Sequence, residues 1–270
     1  MQLLPSRSLS QIVKHFLIIE NDHAANVQHR MFADGNTGMV FNYGDPLLHL
    51  ENGQLDILPI SFIYGQPETF QNIISVGKIG MLIVVFHPFG SSSLLRIPAI
   101  ELKNQILDLE IFYPVENQII SDQIVSSIDV FDQIQIIENF LTAKLKIQNL
   151  SLNLACQAIQ IINKNNGNLP VTELTSLLKI SERQLQRSFA EHIGVSPKRY
   201  SGVTRIQHFL KLVRTNTSSL NSLTNLVYDC GFFDQAHLIR EMKNISGITP
   251  GQYIGQSNLL AANLLQISEK

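Results

Sequence analysis

Two short rows of side chains have the types and the spacing needed to read nucleic-acid bases. In "SERQLQRSFAEHIGVSP", Arg183, Gln186 and Arg187 stand at i, i+3 and i+4, so on a helix they share one face while Leu185 and Phe189 mark the other. Arginine can pair bidentately with guanine O6 and N7, and glutamine with adenine N6 and N7. Each good pair contributes about 1–3 kcal/mol of base discrimination. In "GFFDQAHLIREMKNISGITP" the matching row is Gln235, Ala236, Ile239 and Arg240, which has fewer hydrogen-bonding groups but two apolar side chains able to meet thymine methyls. On an isolated helix a solvated Arg/Gln face is the plainer explanation. Two matched rows in matched surroundings are harder to explain as surface decoration.

The elements that would position these rows can be read from their caps. Ser181 with Gln184 three residues later makes a capping-box start for the first reading helix, and Thr172 is placed to cap a short bracing helix that closes near Leu178. Ser222 is expected to start a second bracing helix ending before Gly231, and Asp234 to cap the second reading helix. Ser181 and Asp234 are 53 residues apart, and both units finish in G-[VI]-[ST]-P, at residues 194–197 and 247–250. An internal duplication is therefore visible without any alignment. Between the units, residues 197–214 read as one long helix. Each unit is a helix, a tight turn and a helix, the arrangement in which the first helix braces the second for the major groove.

With "SERQLQRSF", "GVSPKRY" and "GFFDQAHLIREMKNISGITPGQYI" in place, residues 169–254 resemble the AraC/XylS-type transcription regulators. The resemblance implies two helix-turn-helix units joined by a long helix, with Arg183, Gln186 and Arg187 facing bases from the first and Gln235, Ala236, Ile239 and Arg240 from the second. It implies double-stranded promoter or operator DNA as partner, with a homodimer, RNA polymerase and a small-molecule effector as further ones. Ser181, Lys198, Arg199 and Arg205 are candidates for phosphate contact, the last three equally for internal ion pairing. His237 is read as a packed, hydrogen-bonded helix residue. The chain departs from the family at Thr175 and Val227, where a small Ala is usual, at Lys179, where Gly is usual, and at Leu238 and Met242, which replace aromatics. A non-Gly residue with positive φ at Lys179 would cost on the order of 1 kcal/mol.

The preceding region has a different texture. Apolar runs bounded by turn residues, "NTGMVFNYGD", "ILPISFIYGQP" and "KIGMLIVVFHPFG", predict short strands of a β-sandwich or barrel. "NYGDP" and "VVFHPFGSSSLLRIPAIELKN" resemble a small cupin-like domain found in a subset of such regulators. From Ser121 the period becomes helical, with Ile134, Ile137, Phe140, Leu141 and Leu145, then Leu152, Ala155, Ile159 and Ile162. The expected class is α+β. The expected division is a cupin-like domain at 1–118, a helical linker or dimerisation segment at 119–164, a DNA-binding domain at 165–256 and a tail at 257–270.

Net charge divides the same way. Residues 165–256 carry ten Lys or Arg against six Asp or Glu, while the whole chain carries 20 against 22. A mildly basic C-terminal part suits a polyanion, and a balance of +4 predicts a shallow salt dependence. The two cysteines, Cys156 and Cys230, sit in apolar contexts as expected of buried thiols in a reducing cytoplasm. The uncharged run of "IGMLIVVFHPF" is about half the length of a membrane helix and reads as a buried strand.

Enzyme chemistry finds little support. His15, His23, His29, His49 and His87 contain no H-x-H pair, and no G-x-S-x-G, P-loop, dinucleotide fingerprint or H-E-x-x-H is present. No metal or cofactor is expected. Two rivals remain: a metal-dependent or ligand-binding cupin scaffolded by its C-terminal helices, and a regulator controlled by a protein partner through the helices of residues 121–164. A ligand, if bound, is expected at the barrel mouth beside "GMVFNYG" and "IGMLIVVF".

Overall fold

The computed structural model describes residues 1–22, 26–127, 129–145, 154–215, 223–255, 259–261 and 263–267. Leu152 and Ser222 lie outside them. The strands of the N-terminal part are β1 (Gln2–Leu3), β2 (Val13–Asn21), β3 (Val27–Met31), β4 (Thr37–Asn42), β5 (Leu47–Glu51), β6 (Gln54–Ile57), β7 (Ser61–Tyr64), β8 (Gln71–Ser75), β9 (Ile79–Phe86) and β10 (Ile106–Asp108). They form two sheets. The first runs β1-β2-β9-β4-β7-β10, and the second adds β3-β8-β5-β6 to a terminal hairpin, β11 (Leu259–Ala261) and β12 (Leu264–Ile267).

Strand β9 shows why its sequence is apolar throughout. All eight residues are buried, because alternate side chains enter different cores. Ile79, Met81, Ile83 and Val85 point between the sheets, with Val40, Phe62 and Leu264. Leu82, Val84 and Phe86 point the other way, onto α2 (Pro114–Ser126) and α3 (Val130–Lys144), which contribute Ile120, Ile124, Ile137, Phe140 and Leu141. The register pairs Phe16 and Met39 with Val84, one on each side. After a turn at Pro88 and Phe89, β9 is followed by a short helix, α1 (Gly90–Leu95).

The C-terminal part is helical: α4 (Leu154–Lys164), α5 (Val171–Leu178), α6 (Glu182–His192), α7 (Pro197–Thr215), α8 (Leu223–Asp229), α9 (Gln235–Ser246) and α10 (Pro250–Ile254). It has two cores. One joins Ala155, Ile159 and Ile162 of α4 to Leu174, Leu185, Phe189 and Tyr200. The other joins Val203, Ile206, Phe209 and Leu210 of α7 to Val227, Leu238, Met242 and Ile245.

Three expectations are corrected by this packing. The segment 119–164 is no single linker: α2 begins at Pro114 and packs with α3 on the first sheet, whereas α4 is part of the first helix-turn-helix core. A boundary drawn at the polar segment 163–170 therefore cuts through one packed unit. Residues 257–270 do not form a simple tail, because β12 pairs antiparallel with β3, Leu264 opposite Met31. Thr172 is not the cap of α5: Pro170 holds that position, and the Thr172 carbonyl instead accepts bonds from the hydroxyls of Thr175 and Ser176 at 2.9 Å each.

Candidate nucleic-acid interface

The second helix of each unit, α6 and α9, starts as its sequence requires. At α6 the Ser181 hydroxyl accepts from the Gln184 amide at 3.3 Å, and the Gln184 side chain takes the Ser181 amide at 2.9 Å. The box satisfies two donors that the first turn would otherwise leave unpaired. It also occupies the Ser181 hydroxyl. At α9, Asp234 Oδ1 accepts from the His237 amide at 2.7 Å. His237 is packed as expected: its Nδ1 accepts from the Phe233 amide at 3.3 Å, its Nε2 lies 3.6 Å from Glu241 Oε1, and its ring meets Phe232 edge-on.

With the inner faces fixed by Leu185 and Phe189 in α6 and by Leu238, Met242 and Ile245 in α9, the outer rows follow. Arg183, Gln186 and Arg187 are exposed on α6, and Gln235, Ala236, Ile239 and Arg240 on α9. Gln186 donates to Glu182 Oε1 at 3.0 Å, a contact it must release to pair with a base. Ile239 is 38% exposed, more than an isoleucine with a core role would be.

The four phosphate candidates separate. Lys198 is exposed in a shallow hollow that also includes Glu182 and Gln186. Arg205 is turned inward: Nη2 donates to both Glu241 carboxylate oxygens, at 3.2 and 3.3 Å, and the guanidinium lies 5.6 Å from the Phe232 ring centroid. Arg199 donates to the Glu68 carbonyl of the N-terminal part, and burial lowers its pKa. Of the two alternatives left open for these arginines, internal bonding is the one both make here.

Both cysteines are buried free thiols, pushed by burial up to about 11, as inert core residues should be. Among the described residues no group of three His, Cys, Asp or Glu could hold a metal, and no helix is long and apolar enough to cross a membrane. The space between the two sheets, beside Met81 and Ile83, is an apolar cavity of about 50 Å³. A far larger one, about 620 Å³, lies at the junction of the two halves. Its walls include Lys14, Asp34 and His87 from the N-terminal part and Gln160, His208 and Lys211 from α4 and α7. The barrel mouth is therefore not the roomiest place for a ligand. Sequence reading missed the junction because its walls come from distant segments with no shared motif.

Comparison with known proteins agrees with this geometry. Residues 174–256 match the family model described as a helix-turn-helix domain, and residues 1–108 match a domain of unknown function, DUF6597. An uncharacterized HTH-type transcriptional regulator of Staphylococcus aureus is 31% identical over 112 residues, covering 42% of this chain and 14% of that protein. One of Haemophilus influenzae is 28% identical over 107 residues, covering 40% of this chain and 34% of that protein. The matches thus span about a third or less of these curated relatives. Two crystal structures of ToxT from Vibrio cholerae superpose with a TM-score of 0.50 at 11% and 13% identity, each over 88% of this chain and 98% and 96% of theirs. That likeness is one of fold. The C-terminal part is a helix-turn-helix domain. In the order of its parts, a β-rich part followed by paired helix-turn-helix units, the chain shares the fold of ToxT.

Proposed function

We propose that this chain is a sequence-specific DNA-binding transcription regulator without catalytic activity, reading two major-groove segments with α6 and α9. The observation that carries the proposal is the pair of exposed rows, Arg183–Gln186–Arg187 and Gln235–Ala236–Ile239–Arg240, each on a capped helix braced by its own core. Specificity comes from these rows and affinity from phosphate neutralisation, with Lys198 the side chain best placed for the latter. The first row carries more of the code because it has three hydrogen-bonding side chains. Genome-wide mapping of bound sites gives the operator. On such a site Arg187→Ala is expected to weaken binding about 10- to 100-fold and to relax preference at one position. Unchanged affinity and base preference would remove α6 from the reading.

Control by a small-molecule effector is supported by the junction cavity. Its walls belong to both halves, so an occupant changes how they sit together. A thermal-shift screen of the full chain tests this, with loss of the shift in Lys211→Ala as the check on location. A homodimer is supported by the outer face of α2, where Val115 and Ile119 are exposed one turn apart.

A further inference from the structure

We propose that the loop of residues 68–70 in the N-terminal part sets the angle between the two helix-turn-helix units, by meeting the first just past its copy of the duplicated turn and the second at that turn itself. The proposal rests on the DNA-reading function above. The two units have separate cores, and α7 is the helix that runs through both, with Tyr200 in the first core and Val203 to Val213 in the second. A single helix is a poor ruler for two recognition helices. A small bend or a rotation at either end changes their separation at the DNA surface.

The second restraint is the repeated G-[VI]-[ST]-P turn. Gly194 in the first copy has φ +89° and lies against the N-terminal part so closely that a Cβ there would fall 2.5 Å from the Ala99 carbonyl oxygen. Beside it, Ser92 donates to the His192 carbonyl at 3.3 Å. Gly247 in the second copy has φ +72°, and a Cβ there would fall 2.4 Å from Phe70 Cε1. Its carbonyl accepts from Arg30 Nη1 at 3.4 Å, and the Arg30 guanidinium is stacked 4.0 Å from the centre of the Phe70 ring. The duplication has thus copied a docking surface as well as a fold.

The loop reaches both units, the second at its seat and the first next to it. The Glu68 carbonyl accepts from Arg199, just after the first turn, and Phe70 meets the second turn two residues later. It is itself anchored. The Glu68 amide donates to Asn104 Oδ1 at 2.6 Å, the Glu68 carboxylate pairs with Lys103 Nζ at 3.2 Å, and Arg30 Nε donates to Asn72 Oδ1 at 3.0 Å. A hollow of about 520 Å³, with Thr69 and Asn244 in its walls, separates the two points of contact. The loop therefore acts as a wedge with two bearings rather than as a continuous interface. Helix-turn-helix pairs read segments about one duplex turn apart, so whatever fixes their angle also fixes the permitted spacing.

Substituting either glycine would strain a left-handed backbone whatever the docking, so the test alters the other partner, with Phe70→Ala and Arg30→Gln in the full chain. Spin labels at Glu191→Cys and Lys243→Cys, exposed on α6 and α9, report the distance by double electron–electron resonance without DNA. Native Cys156 and Cys230 are buried and stay unlabelled. The parent chain is expected to give one narrow distance distribution and the two variants a broadened or shifted one. An unchanged distribution in variants that melt cooperatively overturns the wedge, and Arg30→Gln serves if Phe70→Ala fails to fold.

The second arm uses a mapped site with its two segments moved apart by about two base pairs, a rotation of about 70° around the duplex. The parent chain should lose about tenfold or more in affinity and the variants no more than about threefold, given that one misread position costs about tenfold. Equal losses overturn the proposal. If the parent binds no DNA site, the reading function has failed while the distance measurement still decides the wedge.

Discussion

At the scale of single residues, charge placement decides which cations can meet DNA. Lys198 and Arg205 are both on α7, yet one faces outward and the other pairs with Glu241 and lies over the Phe232 ring. Lys198→Ala is expected to reduce the slope of log affinity against log salt by about one without changing stability. Arg205→Ala should leave that slope unchanged and lower stability by about 1.5–3 kcal/mol, the range for hydrogen bonds to charged groups. Salt titrations and urea melts of both variants separate the two roles. Histidines supply a second residue-scale prediction. His29 is buried in the second sheet with Nε2 2.9 Å from Ser75 Oγ, and burial lowers its pKa below the ordinary 6.5. The folded state then resists a proton that the unfolded chain accepts, so stability falls as pH drops through 6.5 and the loss levels off below the folded pKa. His15 and His87 are lowered too, by burial first and Lys14 second, and act in the same direction. Urea midpoints should therefore be lower at about pH 5.5 than at about pH 7.5, and His29→Gln should narrow the difference.

At the scale of elements, the departures at the first turn have a measurable cost. Lys179 closes α5 at φ 53°, ψ 46°, the left-handed conformation that glycine adopts freely. Lys179→Gly is expected to raise stability by about 1 kcal/mol, and Ser181→Ala to lower it by about 1 kcal/mol through loss of the α6 cap. Denaturant midpoints of the two variants test both signs. The same elements show what a sequence discloses. Ser181, Asp234, the αL position at Lys179 and the length of α7 follow from local rules of capping and periodicity, and β9 from an unbroken apolar run. Short-range chemistry fixes all of them. The assignment of α4 was not legible, because its apolar stripe of Ala155, Ile159 and Ile162 fits any partner and only tertiary packing selects Leu185 and Phe189. Arg199 was equally opaque, since the Glu68 carbonyl it meets lies 131 residues away. The exposure of the two rows was legible because a helix face is a local property; the cavity between the halves was not.

At the scale of the whole molecule, the two halves share more than a covalent link. Phe32 and Ala33 of the N-terminal part are buried in the second helix-turn-helix core, and Gln207 of α7 donates to the Ala33 carbonyl at 3.0 Å. The terminal strand β12 joins the two cores through adjacent residues: Leu264 enters the space between the sheets and Leu265, on the opposite face, enters the core of α7 and α9. A chain ending at Gly255 is therefore expected to lose about 3–6 kcal/mol from the two leucines and to leave the β3 edge open to self-association. Urea unfolding and light scattering of that truncation measure the two effects. Stability and solution size matching the full chain would show that the hairpin contributes neither.

Strand order also sets a clock for biosynthesis. Met31 and its partner Leu264 are 233 residues apart, the most distant kind of contact a chain can make and the slowest to close. At about 5–20 residues per second, roughly ten to fifty seconds separate the emergence of β3 from that of β12. Throughout that interval the nascent first domain has an unfinished sheet. The second sheet can be completed only after β12 has been made, so a ribosome that stalls between α9 and β12 leaves a product in which α6 and α9 are already made while β3 still lacks its partner strand.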